Sequence, residues 1–132
     1  MPADVRAFFD HYRDAFNRLD GLAVSACYDQ PAMIAHAGGN GVFMDQAALN
    51  ANNVALCKHY ADSGFVQADF ETGTFVAQNE DFCVADLAWT VHRANRPPER
   101  FNTSYALARR CGAWKVFCVT AYAEQRDWHK HD

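Results

Sequence analysis

The hydrophobic pattern of the chain changes from a helical period in the first half to a period of two in the second. Large apolar side chains recur every three or four residues over residues 4–19, which predicts an amphipathic helix with Asp4 as its N-cap. A shorter helix is expected over residues 22–28. A third helix is expected to begin after its N-cap, Asp45, and to end at residue 62 or 63.

The second half of the chain alternates apolar and polar side chains, which predicts antiparallel β-strands. Strands are expected at residues 66–78 and 82–93, and in a long hairpin that turns at residues 110–113, where Gly112 lies. An earlier strand, residues 32–36, leads into a glycine-rich hairpin loop. One face of the later strands carries the side chains expected in the core: Cys83, Ala85, Leu87, Trp89, Val91, Phe101, Thr103, Tyr105, Leu107, Trp114, Val116, Cys118, Thr120 and Tyr122.

Helices followed by a run of antiparallel strands predict an α+β domain, with the helices packed on one face of a curved sheet. The 132 residues fit one domain, in which residues 125–132 form a polar tail. The opposite face of the sheet is only partly polar, and its apolar positions predict a homodimer that associates through this outer face. These positions include Val84, Ala88, Ala106, Phe117 and Val119.

The composition argues against two classes of partner and favours one cellular compartment. The net charge is −4 and basic residues are not clustered, which argues against binding to nucleic acid or to an anionic membrane. No apolar run reaches the ~20 residues of a membrane-spanning helix, and the N-terminus lacks the apolar core of a signal peptide. Five cysteines without C-x-x-C spacing are typical of reduced thiols, so we expect a cytoplasmic protein without a disulfide frame or a zinc site.

Two further motifs suggest a ligand but are better explained without one. The glycine-rich loop at residues 38–41 is not followed by Lys-Ser or Lys-Thr, so a hairpin is favoured over a phosphate-binding loop. His129 and His131 form a His-x-His with no third ligand nearby in the sequence, so no metal site is expected. The sequence therefore predicts a protein without a cofactor or metal.

Three short motifs carry a resemblance to a known superfamily. Helix one contains F-x-x-x-Y-x-x-x-F-N-x-x-D, starting at Phe8; Y-x-x-P-A starts at Tyr28; and G-A-W-K-V starts at Gly112. With the order α-α-β-β-α-β-β-β-β, the chain resembles the nuclear transport factor 2-like superfamily, also called SnoaL-like, from Phe8 to Ala123. The resemblance implies a cystatin-like cone of mainly antiparallel sheet, closed by about three helices and open at one end into an apolar pocket.

Members of this superfamily range from enzymes to non-catalytic transport or association domains, so the resemblance does not fix a function. Comparison with ketosteroid isomerase implies that Tyr12 stands at the position of the oxyanion-hole tyrosine and His36 at that of the general-base aspartate. The second oxyanion donor, an aspartate in that family, is replaced by Thr103 or a neighbour. Tyr12 could equally pack in the core with its hydroxyl bonded to the backbone, and His36 could be an exposed residue at the end of a strand.

The remaining candidates are side chains expected to surround a pocket for a flat, apolar ligand. They are Phe16, Trp89, Tyr105, Val116, Cys118 and Tyr122, although aromatic residues at a period of two are often plain core. Asn52 and Asn53 either reach the ligand or face water. Two hypotheses follow: a cofactor-free proton-transfer enzyme of the isomerase, cyclase or dehydratase type, or a non-catalytic module that binds a ligand or dimerises.

Overall fold

A computed structural model of the chain describes residues 1–123 and shows three helices, all in its first half. The helices are α1 (Ala3–Asn17), α2 (Gly21–Ser25) and α3 (Gln46–Asp62). None of them, within the described chain, has the length and apolar character of a membrane-crossing helix. The predicted polar tail at residues 125–132, with its Trp128 and two histidines, lies outside the described residues.

Side-chain caps fix the starts of two helices. The carboxylate of Asp20 accepts a hydrogen bond from the Ala23 backbone N–H at 3.0 Å, and that of Asp45 accepts from Ala48 at 2.9 Å. The prediction that Asp4 caps α1 is wrong. The helix begins at Ala3, and its N-cap is Pro2, which makes no side-chain cap. Asp4 lies in the first turn instead.

A six-stranded sheet forms the rest of the domain, with the spatial order β2-β1-β6-β5-β4-β3. Among the strands of residues 1–123, β1 and β6 form the one parallel pair, and the other neighbours are antiparallel. The helices close a curved sheet of the cystatin-like cone type, so the predicted α+β class is confirmed. The strands are β1 (Tyr28–His36), β2 (Gly39–Phe43), β3 (Phe65–Ala77), β4 (Phe82–Arg93), β5 (Glu99–Arg110) and β6 (Ala113–Ala123).

A side chain of helix α1 joins the helix to the sheet by hydrogen bonds to the backbone of β3. The amide of Asn17 donates to the Ala68 carbonyl at 3.0 Å and accepts from the Ala68 N–H at 2.8 Å. Phe9, from the middle of the same helix, is fully buried and packs against Phe70 and Tyr105. These contacts lay the apolar stripe of α1 across the concave face of the sheet, where the core forms.

The predicted inner face of the sheet is correct for β4 and β5 but only for the first part of β6. Leu107 is opposite Val116, yet Ala106 is opposite Cys118, so Phe117 is an extra residue in β6. Such a β-bulge shifts the alternation of side chains by one position beyond it. Trp114 and Val116 therefore face the core as predicted, whereas Val119 and Ala121 take the inner positions expected for Cys118, Thr120 and Tyr122.

Candidate functional site

A cavity of about 340 Å³ lies between the helices and the concave face of the sheet. Its wall contains no Asp, Glu, Lys or Arg side chain among the described residues, and most of it is apolar or aromatic. The lining residues are Tyr12 and Phe16 of α1; Tyr28, Ile34 and His36 of β1; Gly41 and Phe43 of β2; Asn52, Asn53, Leu56 and Tyr60 of α3; and Ala68, Trp89, Val91, Phe101, Thr103, Tyr105, Val119 and Ala121 of the other strands.

Three tyrosines lie side by side in the wall of this cavity, and we call Tyr12, Tyr28 and Tyr105 the phenol cluster; the ring centroid of Tyr12 is 6.3 Å from that of Tyr28 and 5.8 Å from that of Tyr105. The hydroxyls of Tyr12 and Tyr28 lie 3.1 Å apart, and the indole N–H of Trp89 donates to the Tyr105 hydroxyl at 3.0 Å. All three rings are buried. Helix α1 and strands β1 and β5 thus each supply one phenol to a cluster in largely apolar surroundings.

Burial keeps the phenol cluster in its neutral form. Removal from water raises the pKa of Tyr28 to about 12 and raises the pKa of Tyr12 and Tyr105 as well, because a buried phenolate is poorly solvated. The neighbouring phenols raise the pKa of Tyr12 further. At neutral pH these side chains are therefore hydrogen-bond donors and not bases.

A second polar group comes from helix α3. The Asn53 amide, 1% exposed, donates to the hydroxyl of Ser25 at 2.9 Å, and that hydroxyl donates to the Leu49 carbonyl at 3.0 Å. The side-chain amide N–H of Asn52 donates to the side-chain Oδ1 of Asn53 at 3.3 Å. These hydrogen bonds fix the orientation of Asn53, so that both asparagines present amide groups at the cavity wall.

His36 lies at the exposed rim of the cavity, where β1 ends. Its Nδ1 accepts a hydrogen bond from the backbone N–H of Gly38 at 2.9 Å. The turn between β1 and β2 therefore holds the imidazole in place. Within residues 1–123, no three His, Cys, Asp or Glu side chains come close enough together to hold a metal ion.

The structure brings most of the side chains selected from the sequence to one cavity. His36, Tyr12, Phe16, Trp89, Thr103 and Tyr105 all line it. The other three do not. Val116 is fully buried in the core, while Cys118 and Tyr122 lie on the outer face of the sheet because of the bulge at Phe117.

Several lining residues were not selected from the sequence. Tyr28 opens the Y-x-x-P-A motif, and that motif was the available signal for it. Val119 and Ala121 had no such signal, because a strict period of two places them outside. Asn52 and Asn53, for which the sequence allows either a ligand contact or a position in water, line the cavity. Phe43 and Tyr60 reach it through the packing of β2 and α3.

Comparison with solved structures gives the fold. A domain of unknown function with a cystatin-like fold from Nostoc punctiforme PCC 73102 superposes with a TM-score of 0.77 at 14% identity, covering 99% of this chain and 83% of that one. A ketosteroid isomerase-like protein from Erwinia carotovora atroseptica SCRI1043 gives 0.73 at 18% identity, with coverage of 94% and 96%. These identities support a common fold and no shared activity.

A third structure of the same fold is described as a putative calcium/calmodulin-dependent protein kinase type II association domain, from Thiobacillus denitrificans ATCC 25259. Its TM-score is 0.74 at 14% identity, and the match covers 91% of this chain and 94% of that one. A search of curated protein sequences finds no match. The family model described as NTF2-like protein (DUF6841) matches residues 3–124, almost the whole chain. With its cone of curved sheet closed by three helices, the chain belongs to this NTF2-like family.

Proposed function

We propose that this protein binds a small, planar, largely apolar molecule in the cavity and places an acceptor oxygen of that molecule beside the phenol cluster. The observation that carries the proposal is the convergence of Tyr12, Tyr28 and Tyr105 in a wall that is otherwise mostly apolar. Neutral hydroxyls grouped in one part of the wall suit a carbonyl or ether oxygen, and aromatic side chains around them suit a flat ring system.

The same wall disfavours charged metabolites. Burying a charge without a partner is costly, and the cavity wall offers no carboxylate, ammonium or guanidinium group within the described chain. The polar groups available are hydroxyls, amides and one imidazole. They match a neutral ligand with one or two oxygen atoms and a hydrocarbon body.

A cofactor-free proton-transfer enzyme is the second candidate function. It is favoured by the fact that Tyr12 and His36 line the same cavity and that the rings of Tyr28 and Tyr105 lie beside Tyr12. In such an enzyme the tyrosines stabilise negative charge on a substrate oxygen while His36 removes a proton from carbon. The neighbour described as ketosteroid isomerase-like shares the fold on which this chemistry would be built.

We also propose that two copies associate through the outer face of the sheet. Ala88 is exposed in the middle of β4, and Val84, Ala106 and Phe117 are partly exposed around it. Val119, which the sequence pattern assigned to this face, points to the cavity instead. A neighbour of the same architecture is described as an association domain, which supports the proposal that copies of this chain associate.

Two matched probes test the binding proposal. 2-Acetylnaphthalene carries an acceptor carbonyl, and 2-isopropenylnaphthalene has nearly the same shape with CH₂ in place of the oxygen. We expect isothermal titration calorimetry to show binding of both, with the ketone favoured by roughly three- to tenfold, the usual value of one net hydrogen bond. Ala121→Leu should abolish binding because the larger side chain fills the cavity, whereas Ala55→Leu on the exposed side of α3 should not.

Absence of binding by either probe to the folded wild-type protein would count against the proposal. Equal loss of binding in Ala121→Leu and Ala55→Leu would also count against it, since the effect would then not come from the cavity. Binding without any preference for the ketone would leave an apolar cavity and remove the assigned role of the phenol cluster.

A further inference from the structure

The hydrogen bond between Gly38 and His36 determines which imidazole nitrogen carries the proton. A neutral imidazole has one N–H and one nitrogen lone pair. Because Nδ1 accepts the Gly38 N–H at 2.9 Å, its lone pair is engaged and the proton is on Nε2. No other side-chain hydrogen bond of His36 occurs in the described part of the chain. Nε2–H is thus the polar group that remains for a ligand.

Gly38 can donate to the imidazole because it has no side chain to push the ring away. Its backbone angles are not the reason. Its φ lies outside the left-handed region, unlike that of Gly39, so an alanine at position 38 meets no backbone strain. A Cβ there would lie 2.8 Å from Cε1 of His36 and 3.0 Å from its Nδ1. Both distances are too short, so the imidazole would have to move. The ring position depends on the missing side chain.

Strand register places His36 in line with other cavity groups. Ala35 pairs with Thr120, so His36 is beside Ala121, and Ala121 pairs with Thr103 on the next strand. Adjacent strands are about 4.8 Å apart, which puts the backbones of His36 and Thr103 roughly 10 Å from each other. The small side chain of Ala121 between them leaves room for a ligand to span that distance.

We propose that Gly38 positions His36 as the Nε2–H tautomer, and that His36 donates a hydrogen bond to a second acceptor oxygen of the ligand at the cavity rim. This inference rests on the ligand-binding function proposed above and names its ligand class more closely. The ligand is a planar apolar molecule with acceptor oxygens at two ends, as in a diketone. In this tautomer His36 has no free lone pair, so it is not the base that the proton-transfer candidate requires.

The tautomer is tested directly, without any ligand. Long-range ¹H–¹⁵N correlation spectra of the uniformly labelled protein, at a pH where imidazole is neutral, distinguish the two neutral forms of each histidine. The His36 signals are assigned by their loss in His36→Gln. We expect the Nε2–H form in the wild type and a mixture of both forms in Gly38→Ala, where the ring is displaced from the Gly38 N–H.

The ligand class is tested with a second pair of probes, 2,6-diacetylnaphthalene and 2-acetylnaphthalene. In the wild type the second acetyl group should raise affinity roughly three- to tenfold. His36→Gln, which keeps a donor N–H, should retain most of this gain, and His36→Leu should lose it. Gly38→Ala as a single substitution should reduce the rise in affinity that the second acetyl group produces. Added to His36→Leu it should change nothing, because it acts only through His36.

The outcomes separate this inference from the function on which it rests. Binding of 2-acetylnaphthalene together with an Nδ1–H tautomer would overturn the inference and leave the proposed function intact. If the wild type has the Nε2–H tautomer but the second acetyl group still raises affinity in His36→Leu, only the proposed hydrogen bond from His36 to the ligand would be overturned. Failure of every probe to bind would overturn the proposed function, and with it the ligand class, whatever the tautomer.

Discussion

The hydroxyl groups of Tyr12 and Tyr28 lie 3.1 Å apart, although Tyr12 comes from the middle of α1 and Tyr28 is the first residue of β1. Each phenol has a single proton, so one hydroxyl of the pair donates to the other, and the proton of the acceptor is available to a third group. In the proposed complex that third group is the acceptor oxygen of the ligand. The pair therefore couples the position of α1 on the sheet to the polarity of the cavity.

Tyr12→Phe should weaken recognition of an acceptor oxygen more than it weakens the fold. The mutant loses one donor but no buried apolar area, and the Tyr28 hydroxyl still faces the cavity. We expect the wild-type preference for 2-acetylnaphthalene over 2-isopropenylnaphthalene, roughly three- to tenfold, to become smaller in calorimetric titrations of the mutant. The unfolding free energy should change by less than about 1.5 kcal/mol.

Tyr122→Phe is the matched control, since the Tyr122 side chain is 39% exposed on the outer face of β6. The same loss of one hydroxyl there should leave the preference for the ketone unchanged. If both substitutions reduce the preference equally, or if neither does, the phenol cluster does not recognise the carbonyl.

The raised pKa values of the phenol cluster predict a loss of stability at alkaline pH. The pKa of Tyr28 rises from 10.0 to about 12 on burial, so the unfolded chain releases this proton at lower pH than the folded protein does. Its contribution to stability is complete below about pH 10 and is lost as the pH rises towards about 12. Urea unfolding at a series of alkaline pH values should show a falling free energy, with a shallower fall in Tyr28→Phe.

An absorbance titration of the phenolate band offers an independent check of this prediction. Three of the five tyrosines belong to the phenol cluster, so most of the ionisation should appear together with unfolding. Ionisation of all tyrosines near pH ~10 in a chain that stays folded would contradict the assigned burial.

Trp114→Ala should destabilise the domain by roughly 3–5 kcal/mol, the usual range for truncating a large buried aromatic residue. Trp114 is 9% exposed, its indole N–H donates to Asp4 at 3.0 Å, and the Arg109 guanidinium lies 4.2 Å from the ring centroid. Equilibrium unfolding in urea measures the effect. Thr120→Ala, at an exposed position of the same strand, should change the free energy by less than about 0.5 kcal/mol. A similar small change in Trp114→Ala would show that the contacts of Trp114 contribute little.

The sequence predicted the fold well because its local signals are unambiguous. The helical stripe of α1, the cap of α3 at Asp45 and the strict alternation of β4 each depend on a few neighbouring residues. The structure confirms these elements. Asp4 shows where local reasoning stops: an acidic residue at a helix start is a good cap candidate, but its carboxylate bonds Trp114, 110 residues further along the chain.

The cavity was predicted less completely, because its wall depends on features that alternation does not contain. A single extra residue, Phe117, exchanges Cys118 and Tyr122 for Val119 and Ala121. The side-chain period gives no warning of a bulge, since both registers of β6 offer an apolar face. Likewise, Tyr28 becomes a partner of Tyr12 only when β1 pairs with β6 and α1 crosses the sheet. Such long-range relationships are set by packing and not by local sequence.

The proposed homodimer predicts a solution mass of twice the 14.8 kDa of one chain. Burying the outer face removes Ala88 and the partly exposed Val84, Ala106 and Phe117 from water, and a stable interface of this kind covers about 800 Å² on each partner. Ala88→Lys puts a charge at the centre of that face, so multi-angle light scattering at micromolar concentration should show the mass fall to that of one chain. Ala55→Lys on the exposed side of α3 should leave the dimer mass unchanged. A wild-type protein that scatters as a monomer, or an Ala88→Lys variant that stays dimeric, would show that the outer face is not the interface.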